Sequence, residues 1–388
     1  MTVITSIADL RALARRRLPR VMFDYADRGS YDEITLRRNR HDFEGIELRQ
    51  RVMVDMSSLS LATTVLGERW AIPVGIGPVG LAGMFHRDGE ICAARAAAHF
   101  GVPFCLSTMS ICSIEDVRAA VRTPFWFQLY LMRDRGVNAD LIARAQAAQC
   151  SALMLTLDTQ LHGVRRQDVK NGLSIPPRLT LRNALSFAAK PAWALGILRG
   201  RRRTFGNLEG RVPRSGSLST LAQWIGTQFD RSLNWTDVAW VRSRWPGKLI
   251  LKGILDAADA RLACDAGADA IVVSNHGGRQ LDGAPSTISM LPEVAAAAQS
   301  RCEVLLDGGV QSGQDILKAL ALGANACLIG KAFVYGLGAR GEAGVRLALE
   351  LLRQELEVTL GLTGRTDVRL VDAGVLRGPP SVAQGARS

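Results

Sequence analysis

A histidine and an arginine lie three residues apart in the segment SNHGGRQLD (274–282), directly after a short apolar run. Imidazole titrates near neutral pH, so His276 can accept a proton from a substrate, and the guanidinium of Arg279 can bind a carboxylate through two parallel hydrogen bonds. Asp158 offers a carboxylate that could orient the histidine, and Arg165 offers a second guanidinium. A lone histidine is more often structural, but this combination predicts acid–base catalysis on a carboxylate-bearing substrate.

Polar side chains follow each of several short apolar runs elsewhere in the chain. For any single residue, a hydrogen bond to a neighbouring loop would be the simpler explanation. Taken together they predict one site, because the carboxyl ends of parallel strands meet at one end of a barrel. The residues concerned are Ser107, Thr108, Gln128, Tyr130, Thr156, Asp158, Lys252, Ser274, His276, Asp307 and Lys331.

Two glycine clusters close the last two runs, DGG (307–309) and IGK (329–331). Their backbone N–H groups, with a lysine beside them, predict a phosphate site at the barrel position that frequently holds one. Two matches to G-x-G-x-x-G, at 75–80 and 336–341, do not predict a dinucleotide site. The first carries a proline in the would-be phosphate loop and no acidic residue after the next run, and the second lies too near the C-terminus.

The elements that must position these residues are eight apolar runs alternating with helical patterns, which predict an α/β fold, a TIM (β/α)8 barrel. Residues 1–388 are expected to form a single domain, with an amphipathic N-terminal helical segment before the barrel. About ninety residues separate the fourth run from the fifth, so a long insertion after strand 4 is also expected. The runs are 74–78, 102–107, 125–130, 152–157, 249–253, 270–274, 304–307 and 326–330.

The insertion carries most of the net charge of +12. Residues 177–212 contain eight basic side chains and one acidic side chain, and the embedded apolar stretch 184–198 is too short to span a bilayer. Composition favours equally an interfacial membrane segment over 177–216 and a solvated loop packed on the barrel. Because the rest of the chain is nearly balanced in charge, no nucleic-acid groove is expected.

Composition excludes several classes of protein. Hydrophobic residues make up 47% and charged residues 22% of the 388, which is typical of a globular chain and not of a disordered or polytopic membrane protein. The seven cysteines are scattered without a C-x-x-C pair, so neither disulfides nor a metal site are expected. The N-terminus lacks the apolar core of a secretory signal, which predicts a cytoplasmic catalytic portion.

At this point the chain resembles a known family, the FMN-dependent (S)-2-hydroxy acid dehydrogenases and oxidases, which includes lactate and mandelate dehydrogenases and glycolate oxidase. The resemblance covers nearly the whole chain and implies FMN as cofactor and a small 2-hydroxy acid, such as L-lactate, as substrate. The matching motifs are FDYADRGS (23–30), FQLY (127–130), LTLD (155–158), GVRRQD (163–168), LILKG (249–253), SNHGGRQLDG (274–283), DGGV (307–310) and ALALGA (319–324).

The resemblance also implies a role for each matching residue. His276 would be the base, with Asp158 stabilising its protonated form, and the substrate would contact Tyr25, Tyr130, Arg165 and Arg279. Lys252 would stabilise the negative charge of the reduced flavin. The flavin ring would contact Pro78, Val79, Gly80, Ser107, Gln128, Thr156, Lys252 and Ser274, and its phosphate would contact Asp307, Gly308, Gly309, Val310, Gln311, Gly330 and Lys331.

Some positions differ from the family pattern. Gln311 and Lys331 stand where arginine is common, which predicts weaker binding of the FMN phosphate, because lysine lacks the guanidinium fork. Gly80 replaces a frequent alanine, which favours a dehydrogenase over an oxidase that makes hydrogen peroxide. The insertion resembles a membrane-attaching segment, which implies peripheral inner-membrane association, electron transfer to a quinone or another acceptor, and a homotetramer.

Two mechanistic questions stay open at this stage. His276 could remove the hydroxyl proton with hydride transfer, or it could remove the α-proton itself. From the residues alone, Lys252 at the end of strand 5 could instead form the Schiff base of an aldolase.

Overall fold

The computed structural model describes residues 3–173, 181–210, 224 and 227–378. Its main sheet contains eight parallel strands, and a smaller antiparallel hairpin precedes them. The hairpin strands are β1 (Thr63–Val65) and β2 (Glu68–Trp70). The parallel strands are β3 (Val74–Ile76), β4 (Cys105–Ser107), β5 (Trp126–Tyr130), β6 (Ala152–Thr156), β7 (Lys248–Ile254), β8 (Ala270–Val273), β9 (Glu303–Leu306) and β10 (Ala326–Ile329).

The parallel strands close into a barrel. Their spatial order is β3-β10-β9-β8-β7-β6-β5-β4, and a parallel bridge between Ile76 and Phe104 joins the two ends of the sheet. Each predicted apolar run overlaps one of these strands, so the prediction of a TIM barrel is confirmed. The carboxyl ends of the strands, here called the mouth, are where such barrels carry their active sites.

Helices surround the barrel and precede it at the N-terminus. Several helices begin with a capping box, in which a serine side chain accepts the backbone N–H of an aspartate three residues later. The aspartate side chain in turn accepts the backbone N–H of the serine, as at Ser6, Ser113 and Ser312. The helices are α1 (Ile7–Arg17), α2 (Arg20–Asp27), α3 (Ile34–Glu44), α4 (Gly89–Phe100), α5 (Ile114–Ala120), α6 (Arg135–Ala147), α7 (Arg166–Lys170), α8 (Leu181–Ala188), α9 (Pro191–Leu198), α10 (Trp235–Arg244), α11 (Ala257–Asp265), α12 (Thr287–Ala298), α13 (Gly313–Ala321) and α14 (Lys331–Leu362).

Alternation along the strands separates the outer core from the barrel interior. Phe127, Leu153 and Leu155 pack outward against the helices, whereas Trp126 and Met154 point into the barrel. Because side chains alternate with a period of two, the next residues of the inward set lie at the mouth. Those residues are the polar Gln128, Thr156 and Lys252, so the two-residue period of the strands places all three in one layer.

The hairpin β1–β2 was not predicted from the sequence. It closes the opposite end of the barrel, where Trp70 is only 1% exposed and lies 5.6 Å from Trp126 between ring centroids. The backbone N–H of Leu66 donates to both carboxylate oxygens of Glu303, at 3.0 and 2.9 Å. The hairpin therefore fills the barrel at the end opposite the mouth.

The N-terminal helices pack against the loop that follows β8. The Ser30 N–H donates to the Gly278 carbonyl at 3.0 Å, and the side-chain amides of Asn39 and Asn275 exchange two hydrogen bonds of 2.8 and 2.7 Å. These contacts bring residues from the first forty of the chain to the mouth, including Tyr25.

The segment between β6 and β7 is described over 157–173, 181–210, 224 and 227–247. The predicted apolar stretch 184–198 forms parts of two short helices, α8 and α9, because Pro191 begins a new helix. None of the side chains of α9 is buried. Residues 177–180 and 211–216 of the predicted membrane segment lie outside the described residues. In the part of the chain that the structure describes, no helix has the length and apolar character needed to cross a membrane.

Candidate active site

A chain of hydrogen bonds crosses the inward-facing polar layer of the mouth. The Ser107 hydroxyl donates to Gln128 Oε1 at 3.0 Å, and Gln128 Nε2 donates to Thr156 Oγ1 at 3.0 Å. Strand register explains the contacts, since Ser107 lies opposite Gln128 in the β4–β5 pair. The amide of Gln128 is thereby fixed in orientation beneath the mouth.

Lys252 is a buried cation at the end of β7. Its ammonium donates to Ser274 Oγ at 2.9 Å and lies 3.2 Å from Asp307 Oδ2. Burial would lower the pKa of Lys252, but attraction to the carboxylates of Asp307 and Asp158 holds it above the ordinary value. The side chain is therefore charged at neutral pH, and a charged amine cannot form the Schiff base that an aldolase would require.

His276 and Asp158 form the expected pair. The Nδ1 atom of His276 lies 3.1 and 3.2 Å from the two carboxylate oxygens of Asp158. His276 has a φ of 59°, which is uncommon for a residue other than glycine, and its N–H donates to Ser274 Oγ at 3.1 Å. Gln280 also donates to the Asp158 carbonyl, so the loop after β8 is tied to both members of the pair.

The electrostatic surroundings keep the histidine neutral and the aspartate ionised. Burial lowers the pKa of His276, and the nearby ammonium of Lys252 lowers it further, against the opposing attraction of Asp158. Burial raises the pKa of Asp158, but the attraction of His276 and Lys252 outweighs it, so this pKa falls below its ordinary value. With Asp158 beside Nδ1, the neutral ring carries its proton there and leaves Nε2 free to accept one.

The two predicted arginines lie near this pair. Arg279 donates to the carbonyls of Tyr25 and Arg28, at 2.5 and 3.0 Å, and its guanidinium lies 4.8 Å from the centroid of the Tyr25 ring. Burial lowers the pKa of Arg279, and repulsion from Arg165 lowers it further. In the part of the chain that the structure describes, Arg165 Nε is buried without a hydrogen-bond partner. Two repelling guanidiniums with spare donors make a binding site for an anion.

The predicted phosphate site lies at the ends of β9 and β10. Gly309 has a φ of 90°, and a Cβ atom there would lie 1.9 Å from the carbonyl oxygen of Asn39, so only glycine fits. Lys331 donates to the carbonyls of Ala26 and Asp27, at 2.6 and 2.9 Å. Burial, followed by repulsion from Arg279, lowers the pKa of Lys331 to about 7.

One cavity of about 260 Å³ joins these groups. Six predicted residues stand behind the lining residues and hydrogen-bond among themselves or to them. They are Ser107, Thr108, Gln128, Thr156, Ser274 and Asp158. The predicted residues in its lining are Tyr25, Pro78, Val79, Gly80, Tyr130, Arg165, Lys252, His276, Arg279, Asp307, Gly308, Gly309, Val310, Gln311, Gly330 and Lys331.

The sequence reasoning missed three contributors to the site. Arg40, on α3, lines the cavity, donates to the Gly309 carbonyl at 2.8 Å and pairs with Asp315 at 2.6 Å. Buried Glu90 accepts the N–H groups of Gly83 and Ile111, both at 2.9 Å, and so joins the two loops that follow β3 and β4.

Phe229, the third missed residue, comes from the end of the insertion and covers the cavity. Its ring centroid lies 3.9 Å from that of His162 and 6.4 Å from that of Tyr130, and it forms a bridge with Met132. Burial, followed by repulsion from Arg165, lowers the pKa of His162 to about 4, so this ring is neutral. Phe229 belongs to no motif of the sequence, so no local signal identifies it.

Comparison with known proteins gives a consistent result. The family model described as FMN-dependent dehydrogenase matches residues 14–378. The L-lactate dehydrogenase of Caulobacter vibrioides (strain NA1000 / CB15N) is 48% identical over 96% of this chain and 98% of the relative, and that of Ectopseudomonas mendocina is 44% identical over 96% and 99%. A crystal structure of the monotopic membrane protein (S)-mandelate dehydrogenase has a TM-score of 0.93 at 37% identity, over 97% of this chain and 100% of that one. A mandelate oxidase structure has a TM-score of 0.81 at 38% identity, over 97% and 98%.

Proposed function

Since the chain belongs to the FMN-dependent dehydrogenase family, we propose that it oxidises the (S)-2-hydroxy acid L-lactate to the 2-oxo acid pyruvate. FMN is the cofactor of this family. The observation that carries the proposal is a single cavity in which the His276–Asp158 pair stands beside the guanidiniums of Arg165 and Arg279. A base next to an anion site suits a substrate whose reacting carbon bears a carboxylate.

The residues of the cavity fit FMN. The glycines at 308 and 309 have positive φ and line the cavity with backbone alone, and Lys331 with Arg40 supplies positive charge at that end. Asp307 Oδ1 is buried without a partner in the described part of the chain, so it can accept a hydrogen bond from a bound group. We assign Asp307 to Gln311, Gly330 and Lys331 to the phosphate end, and Pro78 to Gly80, Ser107, Gln128, Thr156, Lys252 and Ser274 to the ring.

When bound, FMN supplies a two-electron acceptor. In our proposal, Arg165 and Arg279 bind the substrate carboxylate through forked hydrogen bonds, which fixes one enantiomer relative to His276. Tyr25 and Tyr130 complete the contacts to the carboxylate and hydroxyl. Burial raises the pKa of Tyr130 to about 12, so its hydroxyl stays protonated and can donate.

His276 Nε2 accepts the proton that the substrate releases, and Asp158 stabilises the resulting imidazolium. Lys252 supplies a fixed positive charge next to the layer formed by Gln128 and Thr156, where negative charge develops in the acceptor. The positive charge of Lys252 is present before substrate arrives, because the carboxylates of Asp307 and Asp158 keep its ammonium protonated.

The test is anaerobic bleaching of the flavin absorption band. Purified holoenzyme should bleach on addition of L-lactate and not of D-lactate, and His276→Ala should stay yellow while losing roughly 10²–10⁴-fold in bleaching rate. A panel of L-2-hydroxy acids in the same assay identifies the preferred side chain. Failure of every L-2-hydroxy acid to bleach a flavin-loaded protein would refute the proposal.

We further propose a dehydrogenase that passes its electrons to a quinone. Gly80 supports a dehydrogenase, because alanine is frequent at this position in the oxidases of the family. A Cβ atom at Gly80 would lie 3.3 Å from Met109 Cβ, so glycine leaves that part of the cavity open. The competing oxidase, favoured by the similarity to a mandelate oxidase, would consume oxygen and release hydrogen peroxide. Oxygen uptake measured against quinone reduction, with the same L-lactate concentration, separates the two.

The insertion supports peripheral attachment to the cytoplasmic side of a membrane. Residues 1–388 then form one FMN-binding domain, from which segment 177–216 contacts lipid. On α9, Leu195 and Leu198 are 52% and 56% exposed, and four arginines follow directly, at 199 and 201–203. The test is flotation with anionic vesicles, which Leu195→Asp with Leu198→Asp should abolish without altering flavin content.

A homotetramer is the third part of the proposal. Val52, Met53 and Leu362 expose 73%, 100% and 55% of their surfaces, and the Arg51 N–H donates to the Leu362 carbonyl at 2.9 Å, so they share one apolar patch. Light scattering should give the mass of four chains. Met53→Asp should reduce the mass if this patch is the interface.

A further inference from the structure

Two cysteines face each other at the end of the barrel opposite the mouth. Cys264 lies in the last turn of α11, which leads to the start of β8, and Cys302 immediately precedes β9. Their sulfur atoms are 2.8 Å apart, although 38 positions separate the residues in the chain. Because both adjoin the amino ends of strands, the pair is remote from the cavity at the carboxyl ends.

The two thiols differ in their access to solvent. Cys302 is 7% exposed, and burial raises the pKa of its thiol above the ordinary value. Cys264 is only partly buried and is the thiol that a dissolved reagent meets first. The neighbouring residues Asp265 and Arg301 form an ion pair of 2.6 Å on the surface. That pair holds the two backbone segments together beside the sulfurs.

We propose that Cys264 and Cys302 form a reversible disulfide when the protein meets a hydroperoxide. The thiolate of Cys264 attacks one peroxide oxygen, the O–O bond breaks, and the sulfur becomes a sulfenic acid while the other oxygen leaves as an alcohol or water. The Cys302 thiol then attacks this sulfur, the S–O bond breaks, and water leaves with the Cys302 proton. Two thiols and one hydrogen peroxide thus give one disulfide and two waters, and a dithiol reverses the reaction.

The other five cysteines are placed differently. Cys105, Cys112, Cys150 and Cys327 are buried, and the sulfur of Cys92 has His86 Nδ1 at 3.8 Å. No disulfide was predicted from the sequence, because the seven cysteines are scattered without a C-x-x-C pair. The contact arises only when α11 and the start of β9 meet in the folded barrel.

The experiment uses the holoenzyme treated with a small excess of hydrogen peroxide, then alkylated and mapped by peptide mass spectrometry. We expect one peptide pair joining Cys264 to Cys302 with the loss of two hydrogen atoms, and its disappearance after dithiothreitol. Cys264→Ser and Cys302→Ser should each abolish it, whereas the control Cys150→Ser, which replaces another buried cysteine, should retain it. Mapping of the unaltered protein gives a result even where a serine variant fails to fold.

The cross-link should also be visible as stability without a change in catalysis. It closes a loop of about forty residues, which restricts the unfolded chain and should raise the Tm by roughly 3–6 °C. Flavin reduction by L-lactate should be unchanged, since the pair lies at the other end of the barrel. Cys264 oxidised to sulfinic acid with Cys302 still alkylatable, or a cross-link between two chains, would overturn the proposal.

Discussion

Replacing Asp158 by asparagine tests the charge that the active site places behind its base. Asparagine keeps the shape of the side chain and removes its charge, while the distances of 3.1 and 3.2 Å to His276 Nδ1 leave room for a neutral hydrogen bond. The free enzyme needs a neutral imidazole, and the reaction turns it into an imidazolium. Asp158 therefore matters more after proton transfer than before it, so its loss should slow flavin reduction more than it weakens substrate binding.

The size of the effect follows from the geometry. A Coulomb energy at 3.1 Å with an effective dielectric constant of 20 is about 5 kcal/mol, which is an upper bound. The side chains of His276 and Asp158 retain 19% and 14% exposure, so water screens part of it. Hydrogen bonds to charged groups contribute a net ~1.5–3 kcal/mol, which corresponds to a loss of roughly 10–150-fold in the rate of flavin reduction.

The pH dependence has a definite sign. Burial lowers the pKa of His276 below 6.5, so the fraction of neutral base, and with it the rate, rises with pH through that pKa and is constant above it. Asp158 opposes this lowering, so its neutralisation should lower the pKa of His276 further. In Asp158→Asn the acid limb of the profile should therefore move to lower pH while the plateau falls.

The assay is anaerobic stopped-flow bleaching with L-lactate between pH 5 and 8, after flavin content has been checked by absorbance. Asp372→Asn, on the surface with 67% of its side chain exposed, is the matched control for loss of one carboxylate. If Asp158→Asn bleached at the rate of the unaltered enzyme with an unmoved acid limb, the assignment of Asp158 would be wrong.

Three further substitutions test the rest of the site. Because the pKa of Lys331 is about 7, the lysine loses its charge above pH 7, and the dissociation constant of FMN should rise there by up to ~10-fold per pH unit. Lys331→Arg should flatten this slope in a fluorescence titration of the apoprotein. Equal slopes for the two proteins would show that Lys331 does not contact the FMN phosphate. Glu90→Gln removes the charge that accepts the Gly83 and Ile111 N–H groups and replaces the second oxygen, which accepts the Cys112 N–H at 3.4 Å, by an amide nitrogen. The change should cost ~1–3 kcal/mol in the free energy of unfolding measured with denaturant, and an unchanged midpoint would contradict that role. Phe229→Ala should raise kcat/KM for (S)-mandelate relative to L-lactate by roughly 10-fold or more, and an unchanged ratio would show that Phe229 does not limit the substrate side chain.

The positions of the candidate site residues could be predicted from the sequence where strand periodicity governs them. Inward-facing apolar residues precede each of Gln128, Thr156 and Lys252 by two positions. A correct assignment of the strands therefore also places these three side chains in one layer. The same holds for His276 and Arg279, whose loop begins directly after β8. A position could be predicted when a strand or the loop directly after it carries the residue.

Residues brought in by distant segments could not be predicted in this way. Arg40 reaches Gly309 from a helix that lies some 270 positions earlier in the chain, and the hairpin β1–β2 fills the barrel although it contains only three residues per strand. Neither has a local pattern that differs from an ordinary surface element. Their positions depend on which faces of the folded barrel remain open, and that is a property of the whole chain.

The positive charges at the mouth explain why one cavity can hold two different anions. Lys252 is balanced by Asp307 and Asp158, whereas the donors of Arg279 and Lys331 go to backbone carbonyls and bring no negative charge. Repulsion from Arg279 is one cause of the lowered pKa of Lys331, so an anion bound between them relieves an interaction already present in the protein. A phosphate at the glycines of β9 and a carboxylate at the two arginines would each supply such relief. Binding energy for both ligands is thus prepared by cationic side chains that folding has placed close enough to repel one another.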